Sequence, residues 1–303
     1  MRLATVDDRF VIIHRDRAVD VASASGGRFG PDPMAVLERW DEFTDWATQA
    51  GYGSGGDGGG PSDAPAADPA TFGAPVPRPR QVFALALNYP LHADEVGLPR
   101  PAQPLIFTKY PTCLTGPDAT VELPSDHVDW EVELVVVVGR GGHRIPQAEA
   151  WSRVAGLMVG QDLSERRVQT AGRPAQFALG KSFPGFGPTG PVLVTLDEFA
   201  DPDDLALSNT LNGTVVQQAR TRQMLFPVPE VIARISAIVP LLPGDLIFTG
   251  TPAGVGAKSD PPRYLRPGDV LVGRIEGIGE IRTRFVAGAA VGDADQATPA
   301  SSA

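Results

Sequence analysis

From residue 72 onward, short apolar runs alternate with glycine-, proline- and aspartate-rich turns, a pattern of strands rather than long helices. Strand-like runs fall at 82–87, 105–107, 132–138, 156–159, 192–195, 246–249, 270–275 and 281–285. Turns such as Pro243-Gly244-Asp245 and Pro267-Gly268-Asp269 separate them. Only 147–154, behind Pro146, and 229–239 read as helical here, too few helices for a doubly wound parallel sheet. The pattern predicts a β-rich α+β fold, a mostly antiparallel roll or sandwich.

The first fifty residues have another texture. A strand-like piece at 10–13 precedes a helical stretch at 34–47, where Val36, Leu37, Trp40, Phe43 and Trp46 recur at spacings of three and four. The glycine-rich run at 51–65 cannot support a packed core and reads as a flexible linker. The expected organisation is a small N-terminal domain over 1–70, a catalytic domain over 71–287, and a disordered tail over 288–303.

Composition narrows the function classes. The 303 residues, 42% hydrophobic, suffice for a sizeable core. Thirty-six acidic against twenty-six basic residues, net −10, argue against a nucleic-acid or anionic-membrane surface. The single cysteine, Cys113, excludes an internal disulfide and a thiolate metal cage. No apolar leader or bilayer-length run is present, so a cytoplasmic protein is expected.

The chemistry concentrates at carboxylates. Glu131 and Glu133 flank Val132 at the mouth of an apolar strand, and the period of two aims both the same way. Solvated glutamates on a half-exposed strand would give this pattern; so would two ligands of a hard divalent cation. Asp162 closes another apolar run, as a strand-end cap or as a third ligand. Three carboxylates without a His/Cys cluster suit Mg²⁺ or Mn²⁺ over zinc. His92 and Glu95 share a face if their segment is helical, and the carboxylate would then raise the basicity of the imidazole. They read equally as a surface pair, and His127 is the second choice of base. Lys181, and more weakly Lys109, sit in rigid loops suited to an oxyanion or carboxylate partner. The turn at 249–256 offers backbone N–H groups, that of Gly250 among them, and the Thr251 hydroxyl, but lacks the Lys-Ser/Thr of a phosphate-binding loop.

Taken in order, these blocks resemble the fumarylacetoacetate hydrolase family. They are Leu87-Asn-Tyr with His92 and Glu95, Phe107-x-Lys109, Asp129-Trp-Glu-Val-Glu-Leu, Asp162-x-Ser164-x-Arg166, Gly180-Lys-Ser-Phe, Asn212-Gly213 with Gln217, Thr249-Gly-Thr-Pro and Glu276-Gly-Ile-Gly. The resemblance implies a family-type β-roll catalytic domain behind a small N-terminal domain, commonly as a homodimer. It implies metal ligands Glu131, Glu133 and Asp162, a base dyad His92 with Glu95 on a lid, Lys181 as an oxyanion-stabilising cation, and Gln217 and Thr251 at the substrate. Mg²⁺ is the expected ion, with Mn²⁺ or Ca²⁺ as alternates. The implied reaction is hydrolytic carbon–carbon cleavage of a small 2,4-dioxo acid through a metal-bound enolate, with water attacking the distal carbonyl. Decarboxylation of a 2-oxo acid, tautomerisation of a 2-hydroxydienedioate, and a binding protein without turnover are the rivals. The chain departs from the family at Gln161, Arg167 and Pro184, commonly Asn, Asp and Asp, and at Pro90 and Leu91 before His92. Arg167, a cation where the family carries an acid, is expected to recruit an acidic substrate tail or to face outward.

Overall fold

A computed structural model describes residues 1–53 and 64–288. The glycine-rich run at 54–63 and the tail from 289, where a linker and disorder were expected, lie outside the described residues.

Two β-sheets meet around the strand Val132–Val138, which is buried along its whole length. The antiparallel strand Val154–Gln161, equally buried, pairs with it so that Val132 faces Gln161 and Glu133 faces Gly160. Period two sorts their side chains. Leu134, Val136 and Val138 enter a core shared with Val231, Ile232 and Ile235 of the helix Val228–Ser236, while Val135 and Val137 enter one shared with Phe10, Trp40 and Phe43. Apolar cover on both faces explains the unbroken valine run.

This eleven-stranded sheet continues from Val154–Gln161 through Gly187–Val194 to Arg2–Val6, and on to the hairpin strands Arg9–His14 and Arg17–Asp20. On its other side it runs through Leu246–Phe248 and Val82–Ala86 to the edge strand Leu105–Thr108. The residues expected as a small N-terminal domain therefore share a sheet with the residues expected as the catalytic domain, through Arg2 opposite Val194 and Leu3 opposite Leu193.

A second, five-stranded sheet holds Thr214–Arg220, Ala206–Leu211, Val270–Ile275, Gly279–Ala287 and Asp118–Leu123 in that order. Leu207, Ile275 and Ile281 from it join Val132 in one core, so the sheets face each other where the acidic strand begins. The approach is close: a Cβ on Gly273 would lie 2.8 Å from Gln161 Nε2 and 3.3 Å from Val132 Cγ2.

The β-rich α+β expectation holds, with local differences. The stretch expected as one helix is two, Pro33–Leu37 capped by Asp32 and Trp40–Gln49, with Arg39 at φ −116 between them. The expected helix at 147–154 is a run of 3₁₀ turns, Gln147–Arg153. Strands Asp118–Leu123, Ala206–Leu211 and Thr214–Arg220 were not anticipated.

Candidate metal centre

The acidic cluster forms where the Val132–Val138 and Val154–Gln161 strands begin and end side by side. Glu131 precedes the first strand, Glu133 lies within it, and Asp162 follows the second; the Asp162 N–H donates to the Glu131 carbonyl at 2.8 Å. Glu131 is 5% exposed and the other two are fully buried. One carboxylate oxygen from each lies within 4.8 Å of the others. Glu131 and Glu133 thus converge as the period of two predicts, and burial removes the solvated-strand reading.

Lysines answer part of this charge. Lys181 Nζ donates to Glu131 Oε2 at 2.6 Å and Asp162 Oδ2 at 2.7 Å. Lys109, fully buried, donates to Asp162 Oδ1 at 2.7 Å, to the Phe186 carbonyl at 3.2 Å and to the Lys181 carbonyl. Lys109 therefore stands behind the cluster as a fixed counter-charge; it does not line the cavity described below.

The three acids differ electrostatically. Burial pushes Glu131 toward neutrality, but Lys181, Arg166 and His92 outweigh it and hold its pKa at about 2. Burial, with Asp162 and Glu131 as like-charged neighbours, drives Glu133 well above the ordinary carboxylate range. Glu133 Oε2 accepts the Gly250 N–H at 2.7 Å, whereas buried Glu133 Oε1 has no hydrogen-bond partner among the described residues. An orphaned oxygen among three carboxylates fits a hard divalent cation, which would satisfy that atom and relieve the repulsion. The donor set suits Mg²⁺, Mn²⁺ or Ca²⁺.

The expected His92–Glu95 pair also assembles. Pro90–Val96 is a short helix, ended by Gly97 at φ 72, that places His92 Nδ1 3.0 Å from Glu95 Oε2. Glu95 Oε1 accepts the Gly254 N–H at 2.9 Å, which ties the helix to the 249–256 turn. His92, Glu131, Lys181, Arg166 and Thr251 line one cavity of about 370 Å³, walled by Leu85, Leu105, Phe107, Phe177 and Val255. Leu87, also on the wall, holds a left-handed φ of 58, and the next residue, Asn88, bonds Thr249 O at 2.7 Å and Phe226 O at 3.1 Å.

Other expected positions fall elsewhere. Gln217 is 1% exposed and lies behind the site: its Oε1 accepts the Val132 N–H at 3.0 Å, and its Nε2 donates to Thr251 Oγ1 and Pro252 O, both at 2.8 Å. Thr251 then donates to Val132 O at 3.0 Å. Gly250 serves Glu133 through its N–H, at φ +94, where a Cβ would meet Asn88 Cβ at 2.7 Å. The Arg167 side chain is 64% exposed and pairs with Asp126 at 3.4 Å, outside the cavity. His127 pairs with the same Asp126 and stacks on Tyr264, its ring centroid 4.7 Å away.

The cation that turns inward is Arg166. Its Nε and Nη2 grip Asp129 Oδ2 at 2.9 and 2.7 Å, and its Nη1 reaches Glu131 Oε1 at 2.7 Å and Gln169 Oε1 at 3.0 Å. Burial works against its charge, but Asp129 and Glu131 outweigh that and raise its pKa. Fully buried Asp129 also accepts the N–H groups of Trp130 at 2.8 Å, Gly256 at 2.7 Å and Ala257 at 3.0 Å. Both residues lie within the sequence motifs, which by themselves assign neither a role. An acid two residues before Glu131 and an arginine four residues after Asp162 were the available signal.

Known proteins resemble this chain over most of its length. The family description "Fumarylacetoacetate (FAA) hydrolase C-terminal" matches residues 81–286. The chain is 44% identical over 218 residues to the mitochondrial oxaloacetate tautomerase FAHD2A of Bos taurus, covering 71% of this chain and 69% of that protein. A solved structure described as an HpcE protein of Mycobacterium smegmatis is 52% identical with a TM-score of 0.89, covering 95% of this chain and all (100%) of that one. Maleylpyruvate hydrolase of Sphingobium sp. SYK-6, solved with manganese(II) and pyruvate, is 26% identical with a TM-score of 0.74 over 95% of this chain and 100% of its own.

Proposed function

We propose, for a chain that belongs to the fumarylacetoacetate hydrolase family, that it is an enzyme interconverting the keto and enol forms of a small 2-oxo diacid of the oxaloacetate type. The observation that carries this reading is that His92, paired with Glu95, lines one cavity together with Glu131 of the three-carboxylate cluster. The 44%-identical relative, named an oxaloacetate tautomerase, supports the same chemistry.

Glu131, Glu133 and Asp162 would hold a divalent ion, Mg²⁺ or Mn²⁺, and when bound it supplies a Lewis acid that lowers the cost of negative charge on the 2-oxo oxygen. His92 does the proton work. Glu95 accepts a hydrogen bond from Nδ1–H, leaving Nε2 as the basic nitrogen of that tautomer. Nε2 removes a proton from C3, the C–H electrons become the C2–C3 double bond, and the C2 carbonyl pair moves onto oxygen, to which protonated His92 then delivers that proton. The reverse direction returns the proton from His92 to C3. Lys181 balances Glu131 and Asp162 while that charge passes. The apolar walls limit competing water.

Hydrolytic cleavage of an acylpyruvate is the second reading, favoured by the same dyad, which could instead deprotonate a water. That reaction also needs donors for an oxyanion at the distal carbonyl. Gln217, expected there, is bonded to Val132, Thr251 and Pro252 behind the wall. Tautomerisation needs no such donor. The proposed assembly is a homodimer, which sedimentation would test. The deciding assay mixes the Mg²⁺-loaded protein separately with enol-oxaloacetate and with an acylpyruvate, following ultraviolet absorbance and released pyruvate. Rapid ketonisation without pyruvate release is expected; acylpyruvate cleavage without ketonisation would overturn the proposal in favour of hydrolysis.

A further inference from the structure

A 2-oxo diacid carries a second carboxylate, and the cavity must answer its charge. Arg167, the sequence-level choice, faces out toward Asp126. Two of the cations on the cavity wall are engaged: Lys181 with Glu131 and Asp162, Arg166 with Asp129 and Glu131. The third, Lys258, has no ion-pair or hydrogen-bond partner for its ammonium among the described residues, yet it lines the same cavity.

Its backbone is firmly placed. Lys258 ends the turn Gly256–Lys258, whose Gly256 and Ala257 N–H groups donate to Asp129 at 2.7 and 3.0 Å. The same Asp129 holds Arg166, and Arg166 holds the ligand Glu131. Gly256 O accepts the Ser259 hydroxyl at 2.6 Å and the Arg263 N–H at 2.9 Å, which closes the turn. A Cβ on Gly256 would lie 2.1 Å from Arg263 O and 2.6 Å from the Trp130 ring, so the backbone is packed where it passes. The exposed Lys258 side chain thereby springs from a backbone held in fixed relation to the acidic cluster through Asp129. Gln169, on the same wall, gives its carbonyl oxygen to Arg166 and keeps an amide NH₂ without a partner among the described residues.

We propose that Lys258, assisted by the Gln169 amide, is the specificity-determining residue that binds the distal carboxylate of a 2-oxo diacid. This rests on the reading above, that the 2-oxo end sits at the three-carboxylate cluster. A monoacid with the same carbon count gains only the apolar wall and leaves the ammonium unpaired.

The test is calorimetric binding to the Mn²⁺-loaded protein of two probes of equal length, 2-oxoglutarate and 2-oxopentanoate. The unaltered protein is expected to bind the diacid about tenfold more tightly, the scale of one charge-assisted contact in a partly wet site. Lys258→Gln should abolish that preference and Lys258→Glu should invert it, with the monoacid unchanged within about twofold. Arg167→Ala should leave both affinities as they were. Equal weakening of both probes by Lys258→Gln, or a preference that survives it, would overturn the assignment while leaving the enolisation reading intact. Failure of the unaltered protein to bind either probe would overturn that reading and the assignment with it.

Discussion

Replacing Asp129 with asparagine removes one charge and almost no volume from the point where the 256–257 turn and Arg166 meet the acidic strand. Asp129 accepts five donors, three of them at Oδ2: Arg166 Nε, Arg166 Nη2 and Ala257 N. An amide keeps one acceptor oxygen. If that oxygen serves Trp130 and Gly256, as Oδ1 does now, the new NH₂ group confronts three N–H donors. If it is flipped, the NH₂ group meets the other two. Either way Arg166, with its side chain only 16% exposed, loses its strongest counter-charge and keeps Glu131 alone. Breaking one side of a buried pair costs about 3–5 kcal/mol, a large share of a total stability on the order of 5–15 kcal/mol. Urea unfolding of metal-free protein should show that loss as a lower midpoint with an unchanged slope. Arg167→Ala, which removes only an exposed contact, should cost less than about 0.5 kcal/mol in the same assay. A loss below about 1 kcal/mol for Asp129→Asn would refute the view that this aspartate is the anchor of the site, because so small an effect belongs to solvated ion pairs.

Three further outcomes follow. His92→Gln should lower kcat by about 10²–10⁴-fold while Mn²⁺ affinity stays within about twofold, since the base is lost and the ligands remain; a change confined to KM would contradict the assignment. Gly250→Ala should destabilise by about 1–3 kcal/mol and weaken ion binding, because its Cβ would press on Asn88 and shift the N–H that serves Glu133; normal melting and normal ion uptake would count against it. At the far edge of the sheet, Asp20 is held at about 2, chiefly by hydrogen bonds from Arg9 against an upward push from burial. A carboxylate depressed in the folded state stabilises above its ordinary range and loses that contribution as pH falls through about 2. Asp20→Asn, which also weakens the cap on Ser23 N, should cost about 1 kcal/mol at neutral pH, and the difference should shrink between about pH 4 and pH 2. A constant difference across that range would contradict the charge argument.

The acidic strand was readable because its geometry is local: a period of two places Glu131 and Glu133 together whatever the rest of the chain does. The His92–Glu95 contact was readable for a similar reason, being one helical turn. What escaped depends on pairing distant in sequence. Nothing near residue 3 announces that it will lie opposite Leu193 and continue the main sheet. Arg166 and Arg167 adjoin the place where a short strand gives way to a helix, Arg166–Thr170, so neither period decides which side chain turns inward. Asp129, 37 residues away, settles that choice. Gln217 was expected at the substrate because the family resemblance implies it. Its register opposite Asn209 in the second sheet instead makes it a brace between Val132 and Thr251. The missed strand Ala206–Leu211 alternates as predicted for a half-buried strand, but with Ser, Asn and Thr at several positions its apolar signal is thin.

Glu133 is where the ion either exists or does not, since its Oε1 has no other partner among the described residues. Titration of metal-free protein with Mn²⁺, followed by calorimetry and by the loss of the free-ion spin-resonance signal, should reveal one site per chain. Glu133→Gln, equal in shape, should weaken it by about 100-fold or more, beyond what an outer-shell change costs. Unaltered Mn²⁺ affinity in that variant, with the fold intact, would contradict the three-carboxylate centre and the enol chemistry built on it.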